Sequence, residues 1–314
     1  MTRTEHFRFL SADGSTQLHG VIWAPEEPPV AVLQVAHGVA EYIDRYEPFA
    51  RYLNDRGILV AGHDHIGHGK SLGEGSVSAY LGAEHGWDYA LEDIRTLRNR
   101  LQEDYPDVPH FLMGHSMGSF LVRCYLARYP GGLRGAILMG TGWQPEGMLQ
   151  GGRALAHLTV KLRGAAYVSP LLNQLAFGGY NKPFAPNRTS HDWIAADPAA
   201  VDRYLEDPLC GMDVTSGLFR DMLDGIFWGR HSAAVARVEK GLPLLVLSGG
   251  DDPVGDMGKG VERTTQCYRQ AGHEVRQILY PGLRHEILQE TAHRDAVCED
   301  IYQWMAQIPQ LLQA

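Results

Sequence analysis

Two serines lie within the pattern G-x-S-x-G: Gly114-His115-Ser116-Met117-Gly118 and Gly69-Lys70-Ser71-Leu72-Gly73. Glycines at that spacing permit a turn sharp enough to expose the serine hydroxyl as a nucleophile. The hydroxyl attacks a carbonyl only when an imidazole takes its proton and a carboxylate holds the imidazole in the right tautomer. With 36 glycines in 314 residues the pattern arises readily by chance, so its setting decides. Ser116 follows the apolar run HFLM and opens SFLVRCYLARY, a strand passing through a turn into a helix. Ser71 follows the polar run HDHIGHG and precedes GEGSVSAYLG, with neither feature, and reads as a loop residue.

One known order of the three partners along a chain is serine, then Asp or Glu, then histidine. Downstream of Ser116, the run LPLLVLSGG ends in Asp251-Asp252-Pro253, and EVRQILYPG ends in Leu283-Arg284-His285-Glu286. An acid past one strand and a histidine past the next can converge on one sheet edge, and position alone leaves both Asp251 and Asp252 eligible. An acyl-transfer site also needs N–H donors for the oxyanion, each worth ~3–4 kcal/mol of barrier. The turn His37-Gly38-Val39-Ala40-Glu41 after VAVLQVA offers the Val39 amide, and Met117, next to the serine, offers the other.

A metallohydrolase is the rival chemistry. In His63-Asp64-His65-Ile66-Gly67-His68, glycine stands where the H-x-H-x-D-H pattern needs aspartate, so the run reads as a strand-end loop of locally hydrogen-bonded histidines. His285-Glu286-Ile287-Leu288-Gln289 lacks the second histidine of H-E-x-x-H. No G-x-G-x-x-G or Walker loop is present. The expectation is chemistry without a cofactor or catalytic metal. A non-catalytic ligand-binding chain is a further alternative, but no member of the serine set is missing.

These residues need elements to carry them. EHFRFLSADG and TQLHGVIWAP alternate with period two and suggest an antiparallel pair. From VAVLQVAHG onward, buried-type strands (ILVAGHD, HFLMGHSMG, RGAILMG) alternate with helical runs (EPFARYLNDRG, Asp88 to Tyr105, SFLVRCYLARYP), which implies right-handed crossovers and a mostly parallel α/β sheet. The alternation stops over 143–232, a Leu/Ala- and Pro-rich helical stretch, and resumes with LPLLVLSGG, a helix over Lys259–Gln270, EVRQILYPG and a helix from Asp295. The expected organisation is a core of 1–142 and 233–314 with a helical cap at 143–232, over the carboxyl edge of the sheet.

Twenty-eight basic against 37 acidic residues give a net charge of −9, with no Lys/Arg block, so nucleic acid is not an expected partner. The four cysteines are far apart with no CxxC spacing, which suits reduced thiols. The polar start MTRTEHFRFLSADG has no apolar signal run, and no stretch is long and apolar enough to span a membrane. A cytoplasmic location is expected, and the oligomeric state is left open.

Taken together, the chain resembles the α/β-hydrolase superfamily, and more narrowly its monoacylglycerol lipase and lysophospholipase group. The resemblance rests on HGVAEYIDRY, IGHGKSLG, GHSMG, GGDDPVG and GLRHEILQE, with DPLCG and VTSGLF in the cap. It implies Ser116 as nucleophile, Asp252 rather than Asp251 as acid, His285 as base, and Val39 and Met117 as oxyanion donors. It also implies a serine ester hydrolase acting on medium- or long-chain monoacylglycerols or lysophospholipids, with a short-chain carboxylesterase as the alternative. Cap residues Leu171, Leu172, Leu175, Ala176, Phe177, Leu218, Phe219, Ile226, Phe227 and Trp228 are expected to supply acyl-binding surface, and the cap to touch membrane or micelle surfaces transiently.

Overall fold

The structure, a computed structural model, describes residues 3–308. Eight strands form one sheet: β1 (Arg3–Leu10), β2 (Gln17–Ala24), β3 (Ala31–Ala36), β4 (Ile58–His63), β5 (His110–His115), β6 (Gly135–Met139), β7 (Leu244–Gly249) and β8 (Val275–Tyr280). Their order is β1-β2-β4-β3-β5-β6-β7-β8. β1 and β2 pair antiparallel, β2 joins β4 antiparallel, and the rest of the sheet is parallel. The continuous apolar runs become the interior strands: β3, β4, β5, β6 and β7 are buried at every residue, as strands covered on both faces must be. β1, at the edge, alternates between exposed and partly buried positions.

Helices α1 (Glu47–Asn54) and α10 (Arg294–Gln307) cover one face, where Phe49, Leu53, Ile301 and Trp304 meet strand residues such as Leu33, Met113 and Leu245. Helices α2 (Gly86–Asp104), α3 (Met117–Arg128) and α9 (Lys259–Gln270) cover the other, through Leu91, Ile94, Leu121, Tyr125, Val261 and Tyr268. The chain leaves β3 to one side for β4 and returns to place β5 on β3's other side. That reversal opens a crevice at the carboxyl ends of β3 and β5, the usual ligand position in open α/β sheets.

Between β6 and β7 the chain forms helices α4 (Glu146–Arg163), α5 (Pro170–Phe177), α6 (Pro198–Glu206), α7 (Ser216–Gly229) and α8 (Ser232–Val235), with only an isolated bridge between Val168 and Thr215. Side chains cap three of them: Ser169, Asp197 and Thr215 accept from the Leu172, Ala199 and Leu218 amides. α7 packs along α4 and onto α2 and α3, carrying Leu218, Phe219 and Ile226 into the core of that face.

Candidate active site

The turn between β5 and α3 explains why the pattern needs its glycines. Ser116 holds φ 52° and ψ −119°, a strained backbone for a residue with a side chain, costing ~1–3 kcal/mol. A Cβ on Gly118 would lie 2.1 Å from the Ala36 carbonyl oxygen, and one on Gly114 would lie 2.2 Å from the Gly118 oxygen. Only glycine permits β3, β5 and α3 to approach this closely. The turn is held by the Ser116 amide, which donates to the Met139 carbonyl at 2.9 Å. Ser71 is built differently. The sequence reading puts it in a loop, but it is the buried last residue of a one-turn 3₁₀ helix over Gly69–Ser71, where its hydroxyl donates to the Asp64 carbonyl (2.7 Å) and accepts from the His19 amide (2.9 Å).

His285, past β8, and Asp252, past β7, meet. Nδ1 of His285 lies 3.0 and 3.1 Å from the two carboxylate oxygens of Asp252. Asp252 is wholly buried and also accepts from the Ser248 hydroxyl (2.8 Å) and the Val254 amide (2.9 Å). Burial pushes its carboxyl up, but the His285 ring, followed by these donors, outweighs burial and holds it below the usual range. Asp251 stands outside this contact; its amide donates to the Leu283 carbonyl.

Ser116 and His285 line one cavity of about 740 Å³, as do Val39 and Met117. The serine side chain and the imidazole ring therefore share one wall. Among the described residues, neither the Val39 amide nor the Met117 amide has an acceptor within the protein. Met117 is the first residue of α3, where helix N–H groups are unspent and the helix dipole favours negative charge. A carbonyl oxygen placed between these two amides would be held while its carbon faced Ser116.

Of the ten expected acyl-contact residues, Leu172, Leu175, Ala176, Phe177, Phe219 and Ile226 line this cavity. Leu171, Leu218, Phe227 and Trp228 do not. Leu218 packs in the core, Leu171 is exposed, and Trp228 lines a separate, more polar hollow with Trp87 and Cys124.

Sequence reasoning missed the charges behind the site. The buried Glu41 carboxylate accepts from the Gly38 amide (2.6 Å), His115 Nδ1 (2.7 Å) and Arg45 (3.0 Å), and Arg45 forms a two-pronged bond to Glu286 (2.7 Å twice). The network ties the Gly38–Val39 turn to the residue before Ser116 and the residue after His285. Burial would raise Glu41, but His115, then Arg45 and the Gly38 amide, bring it down to about 2. Burial disfavours the charged His115 ring, yet Glu41 more than offsets this and raises its pKa. Glu41 and Arg45 stand at i,i+4 spacing in HGVAEYIDRY, the one local signal; Glu286 is 241 residues away. Trp193, also unforeseen, lays its ring 5.3 Å from that of His285.

The histidine loop behaves partly as read. The His65 ring and amide bond His37, and the His68 ring bonds the Ile66 carbonyl. His63 departs from that reading, because neither of its buried ring nitrogens has a partner. Burial drives its pKa down to about 3, and burial with mutual repulsion also lowers His37 and His65. The four cysteines are free thiols, and among the described residues no helix is long and apolar enough to cross a membrane.

Residues 27–292 match the family described as "Serine aminopeptidase, S33". The chain is 30% identical over 311 residues to a monoacylglycerol lipase of Mycolicibacterium smegmatis, covering 97% of both chains. It is 28% identical to the human monoglyceride lipase, over 95% of this chain and 89% of the relative. A thermostable carboxyl esterase from Bacillus coagulans, solved in complex with glycerol, superposes with a TM-score of 0.92 at 29% identity, covering 98% of this chain and 99% of that one. The chain therefore belongs to the serine aminopeptidase (S33) family within the α/β-hydrolases, and it is a serine ester hydrolase.

Proposed function

We propose that Ser116, His285 and Asp252 are the nucleophile, base and acid of this hydrolase, that Val39 and Met117 hold the oxyanion, and that its substrate is an uncharged medium- or long-chain monoacyl ester of the monoacylglycerol type. His285 takes the Ser116 proton as Oγ attacks the ester carbonyl; the oxyanion rests on the two amides; His285 returns the proton to the departing alcohol. Water, deprotonated by His285, then attacks the acyl-serine carbonyl, the acid leaves, and His285 returns that proton to Ser116 Oγ, while Asp252 stabilises the imidazolium in both halves. Relatives described as monoacylglycerol or monoglyceride lipases support the substrate class.

The observation that carries the choice of headgroup is the charge on the cavity wall. The charged side chains lining it include the carboxylates Glu41, Asp256 and Glu286, with no lysine or arginine among the described lining residues. Arg45 is spent on Glu41 and Glu286. Glu41 and Glu286 are balanced by Arg45 and His115, so no guanidinium or ammonium is left to receive a phosphate headgroup, whereas a glycerol hydroxyl needs only polar oxygens to bond. This favours monoacylglycerols over lysophospholipids. Residues 143–232 serve in this reading as an acyl-binding cap, and its exposed Met148, Leu158, Leu162, Leu171 and Leu175 meet the lipid surface.

The test is kcat/KM over monoacylglycerols of graded chain length and lysophospholipids of matching chains, with Ser116→Ala as control. The reading expects about a fivefold gain per methylene until the pocket fills, since each is worth ~1 kcal/mol, and at least a tenfold preference for the glycerol ester. Fastest turnover of acetyl or butyryl esters would replace it with a short-chain carboxylesterase.

A further inference from the structure

We infer that His6, His19 and Asp44 form a divalent-metal site of the zinc type, remote in role from ester hydrolysis, that clamps the N-terminal hairpin to the body of the sheet. Each offers one ligand atom, and the three atoms lie within 4.8 Å of one another. Among the described residues this is the grouping of metal-capable side chains that converges; the histidines at 63–68 do not. In the β1–β2 register His6 faces Val21 and His19 lies two residues along, so both rings stand on one face as diagonal neighbours. The rings stack 5.2 Å apart, with His6 Nδ1 3.0 Å from His19 Nε2.

His19 has the support that a metal-binding histidine needs. It is 5% exposed, and its Nδ1 lies 3.0 Å from the wholly buried Asp64 carboxylate. That bond places the ring proton on Nδ1 and aims the Nε2 lone pair at the site, the carboxylate–histidine arrangement found behind metal ligands. The other Asp64 oxygen accepts from the Ile43 amide at 2.7 Å, so one carboxylate also fixes the residue before Asp44. Asp44 Oδ1 is buried with no hydrogen-bond partner, while Oδ2 takes the Lys70 ammonium at 2.5 Å. One metal-directed oxygen is therefore unspent.

Two imidazoles and one carboxylate suit zinc, with a fourth position left for water. Tetrahedral zinc with ~2.0–2.1 Å bonds separates its donors by about 3.3 Å, so the ring nitrogens are almost spaced for it and Asp44 needs only a side-chain adjustment. The Lys70 charge opposes the cation, but its side chain is 47% exposed and can turn to solvent. Bound metal would join β1, β2 and the turn after β3, and so restrain the edge strand.

The experiment is calorimetric titration of zinc into untagged, chelator-stripped full-length protein, paired with thermal melts. The expected result is one equivalent bound, a Tm rise of a few degrees at saturation, and unchanged hydrolysis of a soluble ester. His6→Ala and Asp44→Asn, both on the accessible side, should weaken binding at least tenfold and abolish the Tm rise. Asp64→Asn should weaken it 10–100-fold, and Lys70→Gln should tighten it. Absence of stoichiometric binding, or binding untouched by His6→Ala and Asp44→Asn, would overturn the site and leave an ordinary hydrogen bond between two histidines. Neither outcome bears on the Ser116 assignment, which the activity panel tests separately.

Discussion

At position 116 backbone strain and chemistry share one origin: the turn that lifts the hydroxyl into the cavity also leaves the next amide unspent. Ser116→Ala keeps the turn and removes the nucleophile, so kcat should fall by ~10⁴-fold or more with Tm little changed. Retention of near-normal activity would place the nucleophile elsewhere. Glu41 has a separate task. Its carboxylate is the counter-charge of buried His115 and Arg45 and the anchor of the Gly38 amide. Glu41→Gln leaves the buried His115 ring without its counter-charge and Arg45 with Glu286 alone, and should cost ~3–5 kcal/mol, read as a drop in the urea midpoint. A loss below 1 kcal/mol would mean that the network is not charged as described.

Among the elements, glycines divide by what surrounds them. Gly118 meets the Ala36 carbonyl at once, whereas a Cβ on Gly151, inside α4, meets nothing within 4 Å. Gly118→Ala should therefore disrupt the β5–α3 turn and abolish activity, while Gly151→Ala should stabilise the fold by up to ~1 kcal/mol through helix propensity. Equal effects from the two would refute the steric account. α4 and α5 also carry exposed apolar side chains that lie outside the cavity: Leu162 is 69% exposed and Leu171 is 56% exposed. Leu162→Glu with Leu171→Glu should reduce binding to lipid vesicles several-fold and spare turnover of a soluble ester, as co-sedimentation and a chromogenic assay would show.

For the whole molecule, buried histidines set the response to acid. His37, His63, His65 and His68 all have pKa values lowered chiefly by burial, so the unfolded chain binds protons below about pH 6.5 that the native chain refuses. Stability contributed by these groups is lost as pH falls from about 6.5 toward 3. Asp93, raised to about 7 by burial, and Asp221, also raised, act in the opposite sense; His115 acts only above pH 6.5. His110 and His191 are lowered as well, so six histidines against two carboxylates leave a net loss of stability below pH 6.5, about 1.4 kcal/mol per pH unit for each proton the native chain refuses. Glu41 and Asp252 add to the loss as they protonate at lower pH. Urea midpoints measured from pH 7 to 5 should drop steeply; a flat profile would show that these rings are solvated.

The strands, most helices and the helical interruption before β7 were legible because apolar period and glycine placement are local properties: the helix over Lys259–Gln270 is read to the residue. Ser116, His285 and the pair Asp251-Asp252 were legible because each follows a strand, and strand ends in a parallel sheet share one edge. Position leaves the two acids equal, and resemblance points to Asp252; the fold alone puts the Asp252 carboxylate against His285 Nδ1, while the Asp251 amide bonds the Leu283 carbonyl. Nor could sequence order reveal Glu41 with Arg45 and Glu286, Trp193 over His285, or His6 beside His19. Those contacts join residues that no periodicity links, and they exist because the parallel strands end at one edge, the helices between β6 and β7 return to it, and β1 pairs with β2 in register.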